Sequence, residues 1–277
     1  MGQAWTCLDF LSWDYTMTLA ETIQNYKVSR GSVAAWWLGQ NGFIFKTTEG
    51  TLVSIDLYLS NSATRVCKDL PINMQRQVPI FIQPCDLVTD VYACTHSHVD
   101  HADPDTISNL RNKDTMQFVG PSYTCSIYNK LGIEDSRIHQ LWPQQEIEFK
   151  DVKLRGTFAL PTDETDLNHM GYLLTFSEKF RIYITGDTDY SELLASVASH
   201  SPQVLITCIN GNFNNLSHWE AAGLAKLIRP NIAIPCHYDM FADNSIDPKQ
   251  FRASLKLCAP NTNYLELVHA EPHLFSF

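Results

Sequence analysis

The chain reads Thr95-His96-Ser97-His98-Val99-Asp100-His101 directly after the apolar run of residues 91–94. Because alternate residues of an extended segment point the same way, His96 and His98 can meet one metal ion, and Asp100 and His101 then turn towards a neighbouring ion. Imidazole and carboxylate suit Zn²⁺, Mn²⁺ or iron, and the absence of Cys here argues against a sulfur-rich structural zinc site. The spacing therefore predicts a site for one or two divalent ions rather than four unrelated surface side chains.

Two later segments offer further ligands. The apolar run of residues 183–185 ends in Gly186-Asp187, where a carboxylate could bridge two ions. Its alternative role is to cap a helix expected from Tyr190. The run of residues 232–236 ends in His237, which follows Asp187 in the order expected of a dinuclear site. A lone histidine at a strand end is more often structural, so it is the shared order that favours metal binding.

Outward from these segments, strand-type runs alternate with helix-type patterns. Asp103 followed by Pro104 predicts the start of one helix. Predicted helices cover residues 15–26, 104–111, 123–131, 190–198, 217–228 and 248–257. Predicted strands cover residues 33–38, 42–46, 52–57, 91–95, 116–119, 137–141, 146–149, 152–158, 171–176, 180–185, 203–208, 231–235 and 264–268. Each half opens with hairpins and closes with βα units, which predicts an α/β (α+β) protein built as an αββα sandwich.

Composition narrows the class of protein. The 277 residues are 44% hydrophobic and only 18% charged, which is enough apolar material for a sizeable core. The formal net charge of −10 disfavours nucleic-acid binding, because an acidic chain repels phosphate. No run is long and apolar enough to predict a membrane span or an export signal. The eight cysteines are irregularly spaced, which predicts reduced thiols in a cytoplasmic protein.

The ordered motifs resemble those of the metallo-β-lactamase superfamily and, more closely, of its L-ascorbate-6-phosphate lactonase family. The likeness runs from about Ser29 to Phe241. Besides the histidine cluster, its phrases are Trp36-Trp37-Leu38-Gly39, Asn73-Met74-Gln75-Arg76, Gly186-Asp187-Thr188-Asp189-Tyr190-Ser191 and Ile234-Pro235-Cys236-His237-Tyr238-Asp239.

The pattern of residues 1–30 predicts an N-terminal helical extension, and the resemblance implies a metal-dependent hydrolase domain over residues 31–277. It further implies a homo-oligomer in carbohydrate metabolism. The expected reaction opens the lactone of L-ascorbate 6-phosphate or a related sugar-acid phosphate, using hydroxide formed at one or two ions of Mn²⁺ or Zn²⁺, with iron also compatible. A small-molecule phosphodiesterase, an iron-dependent oxidoreductase and a binding protein with a degenerate site are the alternatives.

One expected ligand departs from the family pattern. The usual third-motif histidine is absent, and Arg155 stands near its place. His169 is the nearest substitute, and its alternative role is that of a polar turn residue. The resulting assignment puts His96, His98 and His169 on one ion. Asp100, His101 and His237 hold the second ion, and Asp187 bridges the two.

Other residues are assigned to catalysis and substrate binding. Asp100 is expected to orient the attacking water or take its proton, with Asp187 as the second catalytic carboxylate. Arg76 is the first choice for gripping a substrate phosphate, and a solvated loop arginine is its alternative. Trp36, Tyr190 and Tyr238 are candidates to contact the substrate, against simple packing. Strand alternation sends Trp36 and Trp37 to opposite faces, so at least one belongs to the core.

Overall fold

The computed structural model describes residues 17–277, in which strands of both halves pair into two seven-stranded sheets. The first half supplies β1 (Ser32–Trp37), β2 (Phe43–Lys46), β3 (Leu52–Ile55), β4 (Val91–Ala93), β5 (Gln117–Gly120) and β6 (Ile138–Gln140). The second half supplies β7 (Glu146–Phe149), β8 (Val152–Phe158), β9 (Met170–Phe176), β10 (Phe180–Ile184), β11 (Val204–Cys208), β12 (Ile232–Cys236), β13 (Asn263–Tyr264) and β14 (His273–Ser276).

Helices lie between these strands. The α-helices of the described residues are α1 (Leu19–Asn25), α2 (Ser62–Val66), α3 (Pro104–Ser108), α4 (Ser122–Lys130), α5 (His218–Ile228) and α6 (Lys249–Cys258). Short 3₁₀ segments cover Pro84–Asp86, Asp135–Arg137, Glu192–His200 and Ala242–Asn244. Within residues 17–277, no helix has the length and apolarity to cross a bilayer.

The strand order shows why the chain forms a sandwich. The first sheet runs β14-β1-β2-β3-β4-β5-β6 and the second runs β13-β12-β11-β10-β9-β8-β7. Strand alternation gives each sheet an inner face, and residues of both sheets, such as Phe45 and Phe176, share one buried core between them. A second core lies on the other face of the first sheet and includes residues of α1, α3 and α4. The predicted αββα sandwich is therefore confirmed.

The strand directions place the loops that carry the predicted ligands at the same edge of the two sheets. Strands β3 to β6 are parallel, and so are β10 to β13. The loops that follow β3, β4, β10 and β12 therefore leave the two sheets at their carboxyl edges, where sites commonly form in α/β proteins. Strand β9 is antiparallel to β10, so its beginning lies at this same edge.

Several boundaries differ from the sequence prediction. The first predicted helix begins at Leu19, and residues 1–16 lie outside the described part of the chain. The helix expected over residues 190–198 is a 3₁₀ helix over Glu192–His200. The strand expected over residues 264–268 shrinks to Asn263–Tyr264. Strand β14 and helix α2 were not predicted, because both are short and neither has a clear apolar period.

The seven cysteines within residues 17–277 are free thiols, as the irregular spacing predicted for them. Cys94, Cys208 and Cys236 are fully buried between or beside the strands, where they act as apolar filling. Burial raises the pKa of each of these three thiols, so they stay protonated. Cys7 lies outside the described residues.

Candidate metal centre

The carboxyl edges of both sheets bring the predicted ligands together. Among residues 17–277, three groups form in which the ligand atoms lie within 4.8 Å of one another. We call the first the three-histidine position, and it consists of His96, His98 and His169. We call the second the mixed position, and it consists of Asp100, His101 and His237. The third group joins His96, His101 and Asp187, so Asp187 stands between the two positions, as expected of a bridging carboxylate.

Buried atoms with no hydrogen-bond partner test whether this set fits metal ions. They include Nε2 of His96, His101 and His169 and Oδ1 of Asp187. An unsatisfied buried polar atom is costly, and native structures contain few. Here these atoms belong to side chains that already cluster within ligand distance, so a cation would satisfy them together. The residues present therefore fit a divalent metal centre.

Hydrogen bonds to the opposite ring nitrogens orient these imidazoles. Nδ1 of His101 lies 2.9 Å from a carboxylate oxygen of Asp56, and Nδ1 of His169 lies 2.9 Å from the backbone oxygen of Asp187. Both partners are acceptors, so each Nδ1 carries the proton. Each Nε2 thus faces the cluster, where its lone pair can bind a metal ion; in His101 the ion would replace the Nε2 proton that faces Asp187.

His96 is oriented in a similar way, through the hydroxyl of Thr95. The Thr95 hydroxyl donates to Asp56 at 2.6 Å and lies 3.0 Å from Nδ1 of His96. Because its proton is directed at Asp56, the hydroxyl accepts from Nδ1 and leaves Nε2 free. Burial, followed by the neighbouring imidazoles of His101 and His169, holds the pKa of His96 well below its ordinary value. His96 is therefore a neutral ligand.

Asp56 supports this arrangement, and sequence reasoning missed it. It is fully buried after β3 and has a φ of 46°, which is unusual for a residue other than glycine. Its carboxylate accepts from the Thr95 backbone and hydroxyl, from Asn41 at 2.5 Å and from His101. Its sequence signal was a lone carboxylate at the end of an apolar strand, with no second ligand nearby to mark it.

Asp187 is an ionised carboxylate in the middle of the centre. Its Oδ2 lies 3.1 Å from Nε2 of His237 and accepts from Asn215 at 2.7 Å. Its Oδ1 lies 3.4 Å from Nε2 of His101. Burial raises the pKa of Asp187, but the positive charges of protonated His237 and His101 outweigh it and hold that pKa well below its ordinary value. The expected alternative, capping of a helix from Tyr190, does not hold, because Ser191 caps that segment.

His98 faces both the cluster and the open side of the site. Its Nε2 lies 3.0 Å from the Thr165 hydroxyl and 3.2 Å from the Asp163 carboxylate. This contact occupies one ring nitrogen and leaves Nδ1 as the nitrogen available to a metal ion. Neither Thr165 nor Asp163 could be assigned from sequence, because the loop that carries them has no ligand-type spacing.

A cavity of about 710 Å³ lies over the cluster. Its floor includes His98, Asp100, Asp187 and His237. Part of its lining is apolar, and we call Val66, Leu70, Pro71, Ile72, Met74 and Phe213 together the apolar wall. Other lining residues are Cys67, Asp69, Ser97, Val99, Thr162, Asp163, Thr165, Asn215 and Asn244. No lining residue found in the described chain is Lys or Arg, and Asp69, Asp100, Asp163 and Asp187 make the lining acidic.

Arg76 does not line this cavity, which corrects its assignment to a substrate phosphate. Its guanidinium donates to the backbone oxygens of Ser60 at 3.2 Å, Val78 at 3.1 Å and Tyr58, and it lies 4.6 Å above the Tyr58 ring. Most of its donors are therefore used to hold the loop of residues 58–78 in place. These bonds use Nε, Nη1 and Nη2, the atoms with which Arg76 would grip a phosphate bidentately.

The three aromatic candidates also lie outside the cavity lining. Trp36 is fully buried on the helix-covered face of the first sheet, edge-on to Tyr26. Tyr238 packs against Trp37 with ring centroids 5.2 Å apart. Tyr190 is half-buried against the core between the sheets. All three therefore pack against other side chains, and none lines the cavity.

Comparisons with known proteins agree with this geometry. A family model described as Beta-lactamase superfamily domain matches residues 35–237. A probable L-ascorbate-6-phosphate lactonase UlaG of Salmonella heidelberg is 23% identical, over 90% of this chain and 81% of that protein. A UPF0173 metal-dependent hydrolase of Polynucleobacter asymbioticus is 26% identical, over 82% of each.

Among solved structures, Igni18, a metallo hydrolase from Ignicoccus hospitalis, superimposes with a TM-score of 0.71 at 18% identity. The alignment covers 89% of this chain and 99% of that one. At this identity the likeness supports the fold.

Proposed function

The chain belongs to the metallo-β-lactamase superfamily and is a metal-dependent hydrolase, and from this premise we propose that it opens lactone rings. The observation that carries the proposal is the lining of the cavity above the metal cluster. It combines an apolar wall with four carboxylates and, among the described residues, no cation. A neutral ester with an apolar substituent fits this lining, whereas the described lining offers no cationic side chain to pair with a substrate phosphate. The name of the Salmonella relative supports the lactone class.

The proposed roles follow from the contacts of this chain's own residues. When bound, divalent ions would supply hydroxide at neutral pH and a positive charge that polarises the ester carbonyl. His96, His98 and His169 would hold one ion, Asp100, His101 and His237 the other, and Asp187 would join them. Asp100 lines the cavity, so its carboxylate is in reach of an attacking water and is our candidate to orient it.

The acidic lining bears on which lactone is bound. The sequence hypothesis named L-ascorbate 6-phosphate or a related sugar-acid phosphate as substrate. A phosphate needs a cationic partner, but Arg76 donates to backbone oxygens instead. We therefore propose an uncharged lactone whose apolar part lies against the apolar wall. The role in carbohydrate metabolism and the homo-oligomer remain proposals that rest on the lactonase resemblance.

A panel of three lactones tests the proposal. Metal-stripped protein is refilled separately with Mn²⁺ and Zn²⁺ and assayed with γ-nonalactone, L-gulono-1,4-lactone and L-ascorbate 6-phosphate. We expect kcat/KM to be highest for γ-nonalactone and lowest for the phosphorylated compound. Turnover of L-ascorbate 6-phosphate above both neutral lactones would overturn the neutral-substrate part.

Two further assays test the alternative functions. Bis(p-nitrophenyl) phosphate tests the phosphodiesterase alternative, and oxygen uptake by iron-loaded protein tests the oxidoreductase alternative. Either activity in the absence of any lactone hydrolysis would overturn the lactonase proposal and leave the fold and the metal centre intact.

A further inference from the structure

Gln40 is a buried polar residue at the metal centre that none of the expected motifs includes. It follows β1, is 1% exposed and has a φ of 53°. Its backbone oxygen accepts from the backbone N–H of His237 at 3.0 Å and from the indole N–H of Trp37 at 3.0 Å. These two bonds fix the turn after β1 against the loop that carries His237. Gln40 is thus held in place independently of its side chain.

The carboxamide of Gln40 lies against two of the three members of the mixed position. Its Nε2 is 2.6 Å from Oδ2 of Asp100 and 2.8 Å from Nε2 of His237. The same Oδ2 of Asp100 lies 3.7 Å from Nε2 of His101, the third member. The amide end therefore lies within hydrogen-bond distance of ligand atoms of Asp100 and His237.

The chemistry of an amide suggests what it does there. A carboxamide carries a donor nitrogen and an acceptor oxygen on one carbon, and half a turn about its last bond exchanges them. The nitrogen suits an arrangement without a cation, because it can donate to the Asp100 carboxylate. The oxygen suits a cation, since carbonyl oxygens are ligands for hard divalent ions.

We propose that Gln40 is a fourth protein ligand of the mixed position, binding the ion through Oε1. The mixed position then has two nitrogen and two oxygen donors, whereas the three-histidine position has three nitrogens. Oxygen donors favour Mn²⁺ relative to a purely imidazole set. The inference rests on the metal-dependent part of the proposed function and is independent of which substrate is cleaved.

Titration of the metal-stripped protein without substrate tests this proposal. Mn²⁺ and Zn²⁺ are each titrated by calorimetry into wild type, Gln40→Met, Gln40→Glu and Gln117→Met. Methionine removes the oxygen at similar length, and glutamate keeps an oxygen donor. Neither is β-branched, so both are compatible with the backbone to a similar degree. Gln117→Met is the control, because it removes another amide that contacts a histidine, His139 at 2.7 Å, outside the metal centre.

We expect the ion in the mixed position to bind about 10–100-fold more weakly to Gln40→Met, and the ion in the three-histidine position to bind as in wild type. This range is usual for losing a group that supports a metal site. The loss should be larger for Mn²⁺ than for Zn²⁺, while Gln40→Glu and Gln117→Met keep both ions. Equal affinities in wild type and Gln40→Met would overturn the proposal. Equal weakening of binding at both positions, with Mn²⁺ and with Zn²⁺ alike, would also overturn the proposal, because it would indicate a structural role for Gln40. Failure of every lactone assay alongside the expected titration would contradict only the proposed substrate class.

Discussion

The floor and the apolar wall of the cavity are built in opposite ways. The floor residues Asp187 and His237 are buried and held by hydrogen bonds that reach both sheets. In the apolar wall, Val66 and Leu70 are each 53% exposed and lie at or beyond the end of a five-residue helix. The floor is therefore fixed by the fold, whereas the wall comes mostly from the surface segment of residues 66–74. We therefore expect chemistry and substrate choice to depend on separate parts of this chain.

The largest loss of activity and of bound metal is expected from removing Asp187. Asp187→Ala takes away the carboxylate between the two positions, so we expect kcat/KM to fall roughly 10³-fold or more, beyond the 10–100-fold typical of an outer partner. Metal analysis should show fewer bound ions. The matched control is Asp189→Ala, which removes an exposed carboxylate two residues away that contacts its own loop. Wild-type metal content in Asp187→Ala would contradict its place in the centre.

Changing Asp56 should weaken metal binding, although Asp56 belongs to none of the ligand groups. In Asp56→Asn the amide keeps the shape but mismatches several of the donors that the carboxylate accepts. We expect metal affinity to fall about 10–100-fold and the free energy of unfolding to fall by roughly 1–3 kcal/mol. Calorimetric titration and urea denaturation measure the two effects.

Asp103 offers a matched control for that experiment. It is also fully buried, accepts from the Ser62 and Thr106 hydroxyls and belongs to none of the ligand groups. Asp103→Asn should lose stability yet keep its metal affinity. If both variants lose metal affinity equally, Asp56 acts only through general stability.

A change in the apolar wall should alter substrate preference and leave the floor intact. Leu70→Ser removes part of an apolar contact worth about 1 kcal/mol, so kcat/KM for γ-nonalactone should fall about fivefold. The rate for L-gulono-1,4-lactone and the metal content should stay near wild type. Leu257→Ser, at a 74% exposed leucine outside the cavity, is the control. An equal loss for both lactones would contradict the division between wall and floor.

The smallest effect on catalysis is expected at Arg76. Because its guanidinium holds backbone oxygens below the wall, Arg76→Met should lower the free energy of unfolding by roughly 1–3 kcal/mol. The KM for L-ascorbate 6-phosphate should remain within about twofold of wild type, which steady-state kinetics can measure. A selective rise in that KM would restore the phosphate-binding assignment.

The floor was predicted well from sequence because its ligands carry a pattern. Three histidines and an aspartate within residues 96–101, followed by Asp187 and His237 at strand ends, are grouped by the structure as expected. Even His169, proposed only as the nearest substitute, joins His96 and His98. Strand alternation was equally informative, since it sends Trp36 and Trp37 to opposite faces.

The groups around the ligands could not be predicted, for physical reasons. Asp56 and Gln40 each stand alone after a strand, and only the pairing of distant strands brings them to the centre. Arg76 and Tyr238 follow family-like phrases, but the phrase does not determine where the side chain points. The loop that contributes most of the apolar wall had no periodicity to interpret, so sequence indicated a functional segment and not its chemistry.

Strand β14 has a consequence for how the molecule is made. It pairs with β1 across 244 residues, with the Ser32 and Ser276 hydroxyls 3.1 Å apart, and it covers a strand whose six residues are all buried. Pairings this distant in sequence form slowly, because a long loop must close first. As a ribosome releases the chain, β1 therefore waits as an open, apolar sheet edge until β14 emerges. Such an edge is a template for pairing with another chain, so the interval between β1 and β14 is when this protein is most exposed to aggregation.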